Sequence, residues 1–351
     1  MGLATGDKIR IGFIGVGNIA QNAIMPAYLK QPDVEIVAVC DLKEARAREV
    51  AERHGIPHVY TDFNEMVKRD DIDAISVCTW NNSHAPATIA ALQAGKHVLC
   101  EKPPAMTVAE AEEMRDAAKD AGKVLMYGLV QRFRTEVTVL KEFMEAGKFG
   151  DIYFGKTSIL RRRGTPLGWF TDPAKSGGGP VIDIGVHLID VTRYLMGSPQ
   201  PTRVSAQVWS PHGDYKTKGV SRWKAFDTDD LVFGVEDIAG GVIHFDNGAA
   251  MIFDVSWAAN VKEIPFFSQV VGTKAGASVD PFEIYSEEQD YLIDVRPVVE
   301  KKNAFEAEVR HFLDCIKTGA TPIPNADEGV AIQKILNGIY ESARLGREVE
   351  L

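Results

Sequence analysis

The sequence predicts an α/β protein with two domains, and two observations support this division. In residues 1–130, short apolar segments alternate with helical segments, an order typical of a doubly wound parallel sheet with helices on both faces. In residues 131–351, the stretch from Arg203 to about Val295 is a succession of long strands, and Asp246-Asn247-Gly248 is a strong hairpin signal. Strands joined in this way form an open, mostly antiparallel sheet. We therefore expect a second domain of the α+β type, with helices on one face of that sheet.

The first domain contains six predicted strands. Each is a short apolar segment with β-branched residues, which suit a buried strand. They are Ile9–Ile14, Glu35–Cys40, Val59–Tyr60, Ala74–Cys78, His97–Cys100 and Val124–Tyr127. The segments between them predict the connecting helices Ile19–Leu29, Lys43–His54, Ser83–Ala94 and Val108–Ala121.

The second domain begins with a predicted helix, Thr135–Ala146, and a long strand, Ile152–Leu160. A glycine-rich loop then leads into a helix from about Val181 to Met196. After the succession of strands, two helices of about Phe305–Thr318 and Asp327–Arg344 end the chain.

The composition disfavours several classes of function. The net charge of -10 argues against a nucleic-acid partner, because binding to the phosphate backbone needs a basic surface. The apolar segments have the length of strands, so we expect no membrane span. The first residues lack the basic and apolar regions of a signal peptide, which favours a cytoplasmic protein. The 4 cysteines form no C-x-x-C pair, so we expect buried thiols and no metal site.

A glycine-rich turn follows the first strand. Residues 15–20, Gly-Val-Gly-Asn-Ile-Ala, match the pattern G-x-G-x-x-A between a strand and a helix. Gly15 permits a tight turn, and Gly17 lets the backbone approach a pyrophosphate. Asn18 and Ile19 open the helix, whose free N–H groups and dipole attract an anion. The turn therefore predicts a dinucleotide site that includes these four residues.

Asp41, at the end of the second strand, predicts the choice of cofactor. A carboxylate at this position can bind the ribose 2′ and 3′ hydroxyls, although it can also cap the helix that follows. A carboxylate repels a 2′-phosphate, so the sequence favours NAD over NADP. Lys43 and Arg46 follow closely and weaken that preference, so NADP remains an alternative.

Two further motifs resemble one family. Residues 94–103, Ala-Gly-Lys-His-Val-Leu-Cys-Glu-Lys-Pro, resemble the A-G-K-H-V-x-x-E-K-P signature of the Gfo/Idh/MocA oxidoreductases, named after glucose-fructose oxidoreductase and inositol dehydrogenase. Residues 177–190 resemble the G-G-G-x-x-x-D-x-G-x-H-x-x-D segment of that family. The resemblance implies a Rossmann domain followed by an open-sheet domain. The free face of that sheet commonly forms the contact of a homodimer or homotetramer.

The resemblance also implies which residues form the site. Lys102 matches the active-site lysine, and Asp183 and His187 match the substrate-side aspartate and histidine. Glu101 matches a residue near the nicotinamide ribose, and Gln131 matches one that often approaches the nicotinamide end. The loop beside the cofactor is matched by Thr79, Asn81 and His84.

The residue types themselves suit the oxidation of an alcohol. Loss of a hydride from carbon needs loss of a proton from oxygen, and histidine is a suitable base near neutral pH. Asp183 and His187 are four residues apart in a predicted helix, so they project from one face. Lys102 lies just past the carboxyl end of a strand, where open α/β sheets bind ligands. We expect His187 to take the proton, Lys102 to polarise the oxygen and Asp183 to bind a neighbouring hydroxyl.

Each of these three residues also has a purely structural interpretation. Most lysines are solvated, a lone histidine on a helix is more often structural, and Asp183 in a first helical turn complements the helix dipole. The residue types also do not separate the roles of Lys102 and His187, which are interchangeable on this reasoning.

Two residues of the second domain give clues to the substrate. Arg163 leaves a predicted strand, and Trp169 follows it closely. The functional interpretation is that Arg163 recognises an anionic group or several hydroxyls and that Trp169 stacks on a sugar ring. The structural interpretation is a solvated strand end and an aromatic residue of the core or of an interface.

The sequence thus predicts an NAD-dependent dehydrogenase acting on the CH–OH group of a sugar or of a cyclitol such as inositol. Three alternatives remain open. They are an NADPH-dependent keto-sugar reductase, an NAD-dependent glycosidase that passes through a transient ketone, and a non-catalytic sugar or nucleotide sensor of the same fold.

Overall fold

The computed structural model describes residues 8–225 and 232–351. The chain forms two compact units. One unit contains the chain up to Gly128 together with Phe305–Val330, and the other contains Leu129–Ala304 and Ala331–Leu351. The segment 305–330 therefore packs with the first unit, although it follows most of the second unit in the sequence.

The first unit is built on a six-stranded sheet in which every pair of neighbouring strands is parallel. Its strands are β1 Ile9–Ile14, β2 Val34–Cys40, β3 His58–Tyr60, β4 Ala74–Val77, β5 His97–Glu101 and β6 Leu125–Gly128. Their order in the sheet is β3-β2-β1-β4-β5-β6, so the direction of winding reverses between β1 and β4. Ligands of such sheets bind outside the carboxyl ends of the strands at this reversal. The predicted doubly wound sheet is confirmed.

The helices of the described residues are α1 Met25–Leu29, α2 Glu44–His54, α3 Phe63–Met66, α4 His84–Gln93, α5 Val108–Ala121, α6 Thr135–Glu145, α7 Pro173–Ser176, α8 Val186–Leu195, α9 Ala304–Thr318 and α10 Ala326–Leu345. Eight of them lie close to predicted helices, whereas the short helices α3 and α7 were not predicted. Two predicted helices begin with a wider, π-helical turn. These turns are Ala20–Ile24 before α1 and Val181–Gly185 before α8.

Local signals explain where α5 begins and ends. Thr107 and Glu110 form a reciprocal capping box at the start of α5, and Gly122 ends that helix in the left-handed conformation.

Ion pairs attach α9 to the first unit, where Arg310 contacts Asp33 at 2.9 Å. The chain therefore returns to the first unit through a helix held by charge as well as by apolar packing.

The second unit is built on a nine-stranded sheet. Its strands are β7 Ile152–Leu160, β8 Pro201–Trp209, β9 Ile238–Phe245, β10 Ala250–Ser256, β11 Ile264–Gly272, β12 Gly276–Ser278, β13 Glu283–Glu288, β14 Tyr291–Val295 and β15 Val349–Glu350. Their order is β14-β13-β12-β11-β7-β10-β9-β8-β15. The β7–β10 pair is parallel and the other pairs are antiparallel, which confirms the mostly antiparallel sheet.

A loop interrupts the succession of strands predicted from Arg203 to about Val295. Among the described residues between β8 and β9, none belongs to a strand. This segment is polar and rich in lysine and glycine, and it lacks the alternation of apolar and polar residues that a half-buried strand needs. The hairpin turn predicted at 246–248 joins β9 to β10, and residues 273–275 join β11 to β12.

The second sheet has one covered and one uncovered face. On β10, Met251 and Phe253 are buried, whereas Ile252 between them is 40% exposed. Registers across the sheet place Trp209, which is 51% exposed, and the partly exposed Val242 on the same face as Ile252. This uncovered face therefore presents large apolar side chains to solvent.

All four cysteines are buried free thiols, as expected. No helix in the described parts of the chain has both the length and the apolar character to cross a membrane.

Candidate functional site

The glycine turn after β1 lies at the reversal of the sheet. Gly15 has a φ of +86°, and a Cβ added there would meet the Cys78 carbonyl oxygen at 2.6 Å. Only glycine fits this close approach to the end of β4. Around a Cβ added at Gly17, no heavy atom of the described residues lies within 4 Å. The first glycine is therefore required by the fold, whereas the second leaves open space beside the turn.

The two residues after this turn are accessible. Asn18 is partly exposed, and Ile19 is 37% exposed although it is a large apolar side chain. They precede the π-helical turn that starts at Ala20, so the predicted helix start lies where the motif placed it.

Asp41 is held beside the same turn. Its Oδ2 accepts the Val16 main-chain N–H at 3.1 Å, and its Oδ1 accepts the N–H of Lys43 at 2.9 Å. The guanidinium of Arg46 lies 3.4 Å from both carboxylate oxygens. Asp41 thus connects the glycine turn to the start of α2, and the carboxylate also has a cation beside it.

His84 connects the loop after β4 to the loop after β5. Its Nδ1 lies 2.8 Å from the Pro103 carbonyl oxygen, and its Nε2 lies 3.3 Å from that of Thr79. Burial lowers the pKa of His84 to about 4, so the ring is neutral at neutral pH and carries one N–H. The shorter contact assigns this N–H to Nδ1, which donates to Pro103. His84 and Asn81 are buried, and Thr79 is partly exposed.

Lys102 follows the carboxyl end of β5 and is partly exposed. Its main-chain N–H donates to Oε2 of Glu101 at 3.3 Å, and its bond to Pro103 is cis. The Glu101 carboxyl is packed against the backbone of Gly128, where an added Cβ would lie 3.0 Å from Oε1. Burial raises the pKa of Glu101 to about 7, and the charge of Lys102 opposes this rise. The first unit therefore places a cation and a buried carboxyl of raised pKa together at the end of β5.

Sequence reasoning missed a second buried carboxyl near this one. Glu308 on α9 is 0% exposed, and neither of its carboxylate oxygens has a hydrogen-bond partner within the described residues. Burial, together with the charge of Glu101, raises the pKa of Glu308 well above its ordinary value. A signal did exist: Glu308 is four residues before the buried Phe312, on the apolar face of its helix.

In the second unit, Asp183 and His187 reach the surface together. These two residues are partly exposed, and all the remaining residues from Gly178 to Arg193 are buried. Asp183 lies in the π-helical turn and His187 in the first turn of α8. The predicted common face is therefore present at one end of a buried helix.

The Asp183 carboxylate has a partner that the sequence did not reveal. Oδ2 of Asp183 accepts the indole N–H of Trp257 at 3.2 Å, and Trp257 is 0% exposed. No local pattern links two residues so far apart in the sequence.

Gln131 lies in a 3₁₀ turn, Val130–Phe133, and is partly exposed. The next residue, Arg132, forms a buried ion pair with Asp190 of α8. The turn that carries Gln131 is thus attached to the helix that carries His187.

Arg163 and Trp169 are largely engaged within the second unit. The Arg163 guanidinium donates to Oδ1 of Asn260 at 2.8 Å and to the carbonyl oxygen of Arg162 at 2.6 Å. Trp169 stacks on Phe170 with ring centroids 4.1 Å apart. These contacts show that the Arg163 guanidinium is bonded within the unit, and a substrate role for either residue stays a prediction.

The first unit fits a nicotinamide dinucleotide by its own geometry. The open space at Gly17 leaves room for a pyrophosphate close to the backbone, and Asp41 lies at the end of β2, where a ribose is bound in such folds. Lys102 lies two strands from the glycine turn, at the same edge of the sheet.

Comparisons with known proteins agree with this geometry. Residues 9–129 match an oxidoreductase family with an NAD-binding Rossmann fold, GFO_IDH_MocA, and residues 137–278 match the GFO/IDH/MocA C-terminal domain. The D-glucoside 3-dehydrogenase of Escherichia coli is 35% identical over 352 residues, which cover 99% of each chain. The D-xylose 1-dehydrogenase (NADP(+)) 2 of Haloferax volcanii is 28% identical over 97% of this chain and 99% of its own.

A solved structure is similar over almost the whole chain. Aldose-aldose oxidoreductase from Caulobacter crescentus, complexed with glycerol, matches with a TM-score of 0.82 and 29% identity. The match covers 98% of this chain and 100% of that one.

Proposed function

Because this chain belongs to the Gfo/Idh/MocA family of NAD-binding oxidoreductases, we propose that it uses NAD to oxidise a secondary ring hydroxyl of a D-glucoside-type sugar. The chain is an oxidoreductase that transfers a hydride between a nicotinamide cofactor and a secondary hydroxyl of a sugar, cyclitol or sugar derivative. The proposal goes further in naming the cofactor, the substrate class and the residues at the reacting carbon.

The exposure of Asp183 and His187 carries the proposal. They alone are partly exposed in the segment from Gly178 to Arg193, so a carboxylate and an imidazole are the groups that this helix offers to a ligand. A sugar ring has adjacent hydroxyls, and these two groups suit binding one of them and deprotonating another.

The residues divide the chemistry as follows. When bound, the nicotinamide would supply the acceptor for the hydride that leaves the carbon. His187 accepts the hydroxyl proton. Loss of the hydride and of this proton converts the secondary alcohol into a ketone. The Lys102 ammonium donates a hydrogen bond to the same oxygen and stabilises negative charge there, and Asp183 accepts a hydrogen bond from a neighbouring hydroxyl. If Lys102 and His187 exchanged these roles, the same hydride and the same proton would still leave the sugar.

The cofactor is proposed to be NAD because of Asp41. Its carboxylate is fixed by two main-chain N–H groups, those of Val16 and Lys43. In this proposal it binds the ribose hydroxyls, and its charge repels a 2′-phosphate. Arg46 at 3.4 Å keeps NADP as the alternative, since a guanidinium can pair with a 2′-phosphate. The remaining cofactor residues are proposed on the family resemblance. They are Gly15, Gly17, Asn18, Ile19, Thr79, Asn81, His84, Glu101, Lys102 and Gln131.

We also propose that the protein is a homodimer or homotetramer associated through the uncovered face of its second sheet. Support comes from Trp209 and Ile252, which are 51% and 40% exposed on that face. Exposed apolar patches of this kind mark association surfaces. Light scattering of the wild type and of Ile252→Glu tests this, since a charge at the contact should shift the mass toward the monomer.

A substrate panel tests the function itself. The purified chain is incubated with NAD or NADP and with glucosides, free aldoses, inositols and uronates, and reduced nicotinamide is followed by absorbance. Reduction with glucosides and NAD is expected. Release of the glycone without net reduction would instead indicate the glycosidase, and no response to any compound would favour the sensor.

A further inference from the structure

Glu236 is a buried carboxyl that none of the sequence motifs includes. It is 5% exposed and lies just before β9. Its Oε2 accepts the main-chain N–H of Gly179 at 3.0 Å, and its Oε1 accepts that of Val181 at 3.1 Å. The Tyr340 hydroxyl donates to Oε1 at 2.8 Å. Three donors therefore converge on one carboxyl group inside the second unit.

Two of these donors belong to the start of the helix that carries Asp183 and His187. The first N–H groups of a helix have no carbonyl partner within it, and a carboxyl there satisfies them and complements the helix dipole. Glu236 fills this role from a distant part of the chain.

The same backbone also holds Asp183. The carbonyl oxygen of Gly179 accepts the main-chain N–H of Asp183 at 3.0 Å, while the N–H of Gly179 donates to Glu236. One residue, Gly179, thus connects the Glu236 carboxyl to the main chain of Asp183.

Gly179 makes this arrangement possible because it has no side chain. A Cβ at this position would lie 2.4 Å from the Glu236 carbonyl oxygen. The close approach explains one glycine of the Gly177-Gly178-Gly179 loop in physical terms.

A second connection reaches Asp183 from the neighbour of Glu236. The main-chain N–H of Trp257 donates to the Asp237 carbonyl oxygen at 2.9 Å, and its indole N–H donates to Asp183 Oδ2 at 3.2 Å. The segment 236–237 therefore fixes the backbone of Asp183 through Gly179 and its carboxylate through Trp257.

We propose that Glu236 is a positioning residue for the oxidation, which acts through Gly179 on the orientation of the Asp183 carboxylate toward the sugar. This inference rests on the proposed role of Asp183 in binding a substrate hydroxyl. Glu236 touches neither substrate nor cofactor in this role, and it determines where the hydrogen-bond acceptor for the sugar lies.

A double-mutant cycle tests the inference with Glu236→Gln and Asp183→Asn. Glutamine has the size of glutamate, but its NH₂ group cannot accept from the N–H that it faces. Loss of one hydrogen bond from a main-chain N–H to the Glu236 carboxylate should lower kcat/KM for the sugar by about tenfold. The KM for NAD should not change. In the Asp183→Asn background, Glu236→Gln should have almost no further effect, because its target is already removed.

Tyr340→Phe provides a second, milder variant. It removes one donor to Glu236 and leaves both main-chain contacts, so its effect on kcat/KM should be smaller and should also vanish in the Asp183→Asn background. If Glu236→Gln does not fold, as judged by circular dichroism, the same cycle with Tyr340→Phe decides the question.

The outcomes separate this inference from the proposed function. Full activity of Asp183→Asn would remove the role of Asp183 and this inference with it. An impaired Asp183→Asn combined with a fully additive effect of Glu236→Gln would overturn the inference alone, because additivity indicates a merely structural contribution.

Discussion

Arg132 and Asp190 form a bidentate ion pair in the interior of the second unit. Nε and Nη2 of Arg132 donate to the two carboxylate oxygens of Asp190 at 2.8 and 2.7 Å, and both side chains are 1% exposed. Asp190 lies one turn after His187, and Arg132 is next to Gln131. The pair thus fixes the relative position of two predicted site residues.

Asp190→Ala should therefore destabilise the protein strongly. Removal of one partner leaves a buried guanidinium without its counter-charge, which costs about 3–5 kcal/mol of unfolding free energy. Urea unfolding followed by fluorescence measures this. The matched control is Arg203→Ala, since its pair with Glu348 is exposed and such pairs contribute about 0–1 kcal/mol. Equal losses in the two variants would contradict the interpretation.

The two glycines of the nucleotide turn should respond differently to alanine. Gly15→Ala should lower stability without any ligand, because the positive φ and the Cys78 carbonyl oxygen at 2.6 Å both exclude a Cβ. Gly17→Ala should keep the melting temperature and weaken nucleotide binding, because its Cβ would enter only the space left for the pyrophosphate. Thermal unfolding and calorimetric titration with NAD separate the two effects. A normal affinity for NAD in Gly17→Ala would argue against this placement of the pyrophosphate.

Asp41→Asn should shift the cofactor preference toward NADP. Asparagine keeps one oxygen to accept a main-chain N–H and removes the charge that repels a 2′-phosphate. We expect the ratio of kcat/KM for NAD to that for NADP to fall by about tenfold or more, equal to about 1.4 kcal/mol. Arg46→Ala is the complementary variant and should move the ratio toward NAD. An unchanged ratio in both would mean that these residues do not face the ribose.

Lys102→Ala and His187→Ala should each reduce turnover and leave the fold intact, because both side chains are partly exposed. A positioned acid or base contributes about 10²–10⁴-fold, so we expect kcat to fall within this range. The pH profile of kcat/KM assigns the roles, since the variant that lacks the proton acceptor loses the acidic limb. Full turnover of either variant would falsify its catalytic assignment.

Glu308→Gln should change how stability depends on pH. The pKa of Glu308 is raised in the folded chain, so the folded state keeps a proton that the unfolded chain has lost. Between the ordinary carboxyl pKa and the raised value, the free energy of unfolding therefore falls as pH rises, by up to about 1.4 kcal/mol per pH unit for one group. The glutamine variant lacks this contribution and should lose less stability between pH 5 and pH 7.

Glu101 remains in that variant, and its pKa of about 7 leaves a smaller decline over the same range. The groups whose charges act in this buried region are Glu101, Cys78 and Tyr28. Glu113→Gln, an exposed change, is the control. If Glu308→Gln and the wild type show the same slope in urea unfolding, Glu308 is not neutral in the folded protein.

Much of this protein was determined by local sequence alone. β1 and β7 begin and end at the predicted residues, because β-branched apolar segments bounded by turns favour strands wherever they occur. The glycine turn and the four-residue spacing of Asp183 and His187 could also be predicted, since a turn and a helix face depend on residues close together in the chain.

Only the tertiary structure decided which residues from distant parts of the sequence support the predicted site residues. Trp257 donates to Asp183, and Glu236 holds Gly179, across 74 and 57 residues of sequence. Glu308 lies in the first unit, where the charge of Glu101 acts on it. Such contacts arise when strands and helices from separate parts of the chain pack and exclude water, and the energy of a buried polar group depends on whichever partner the packing brings to it.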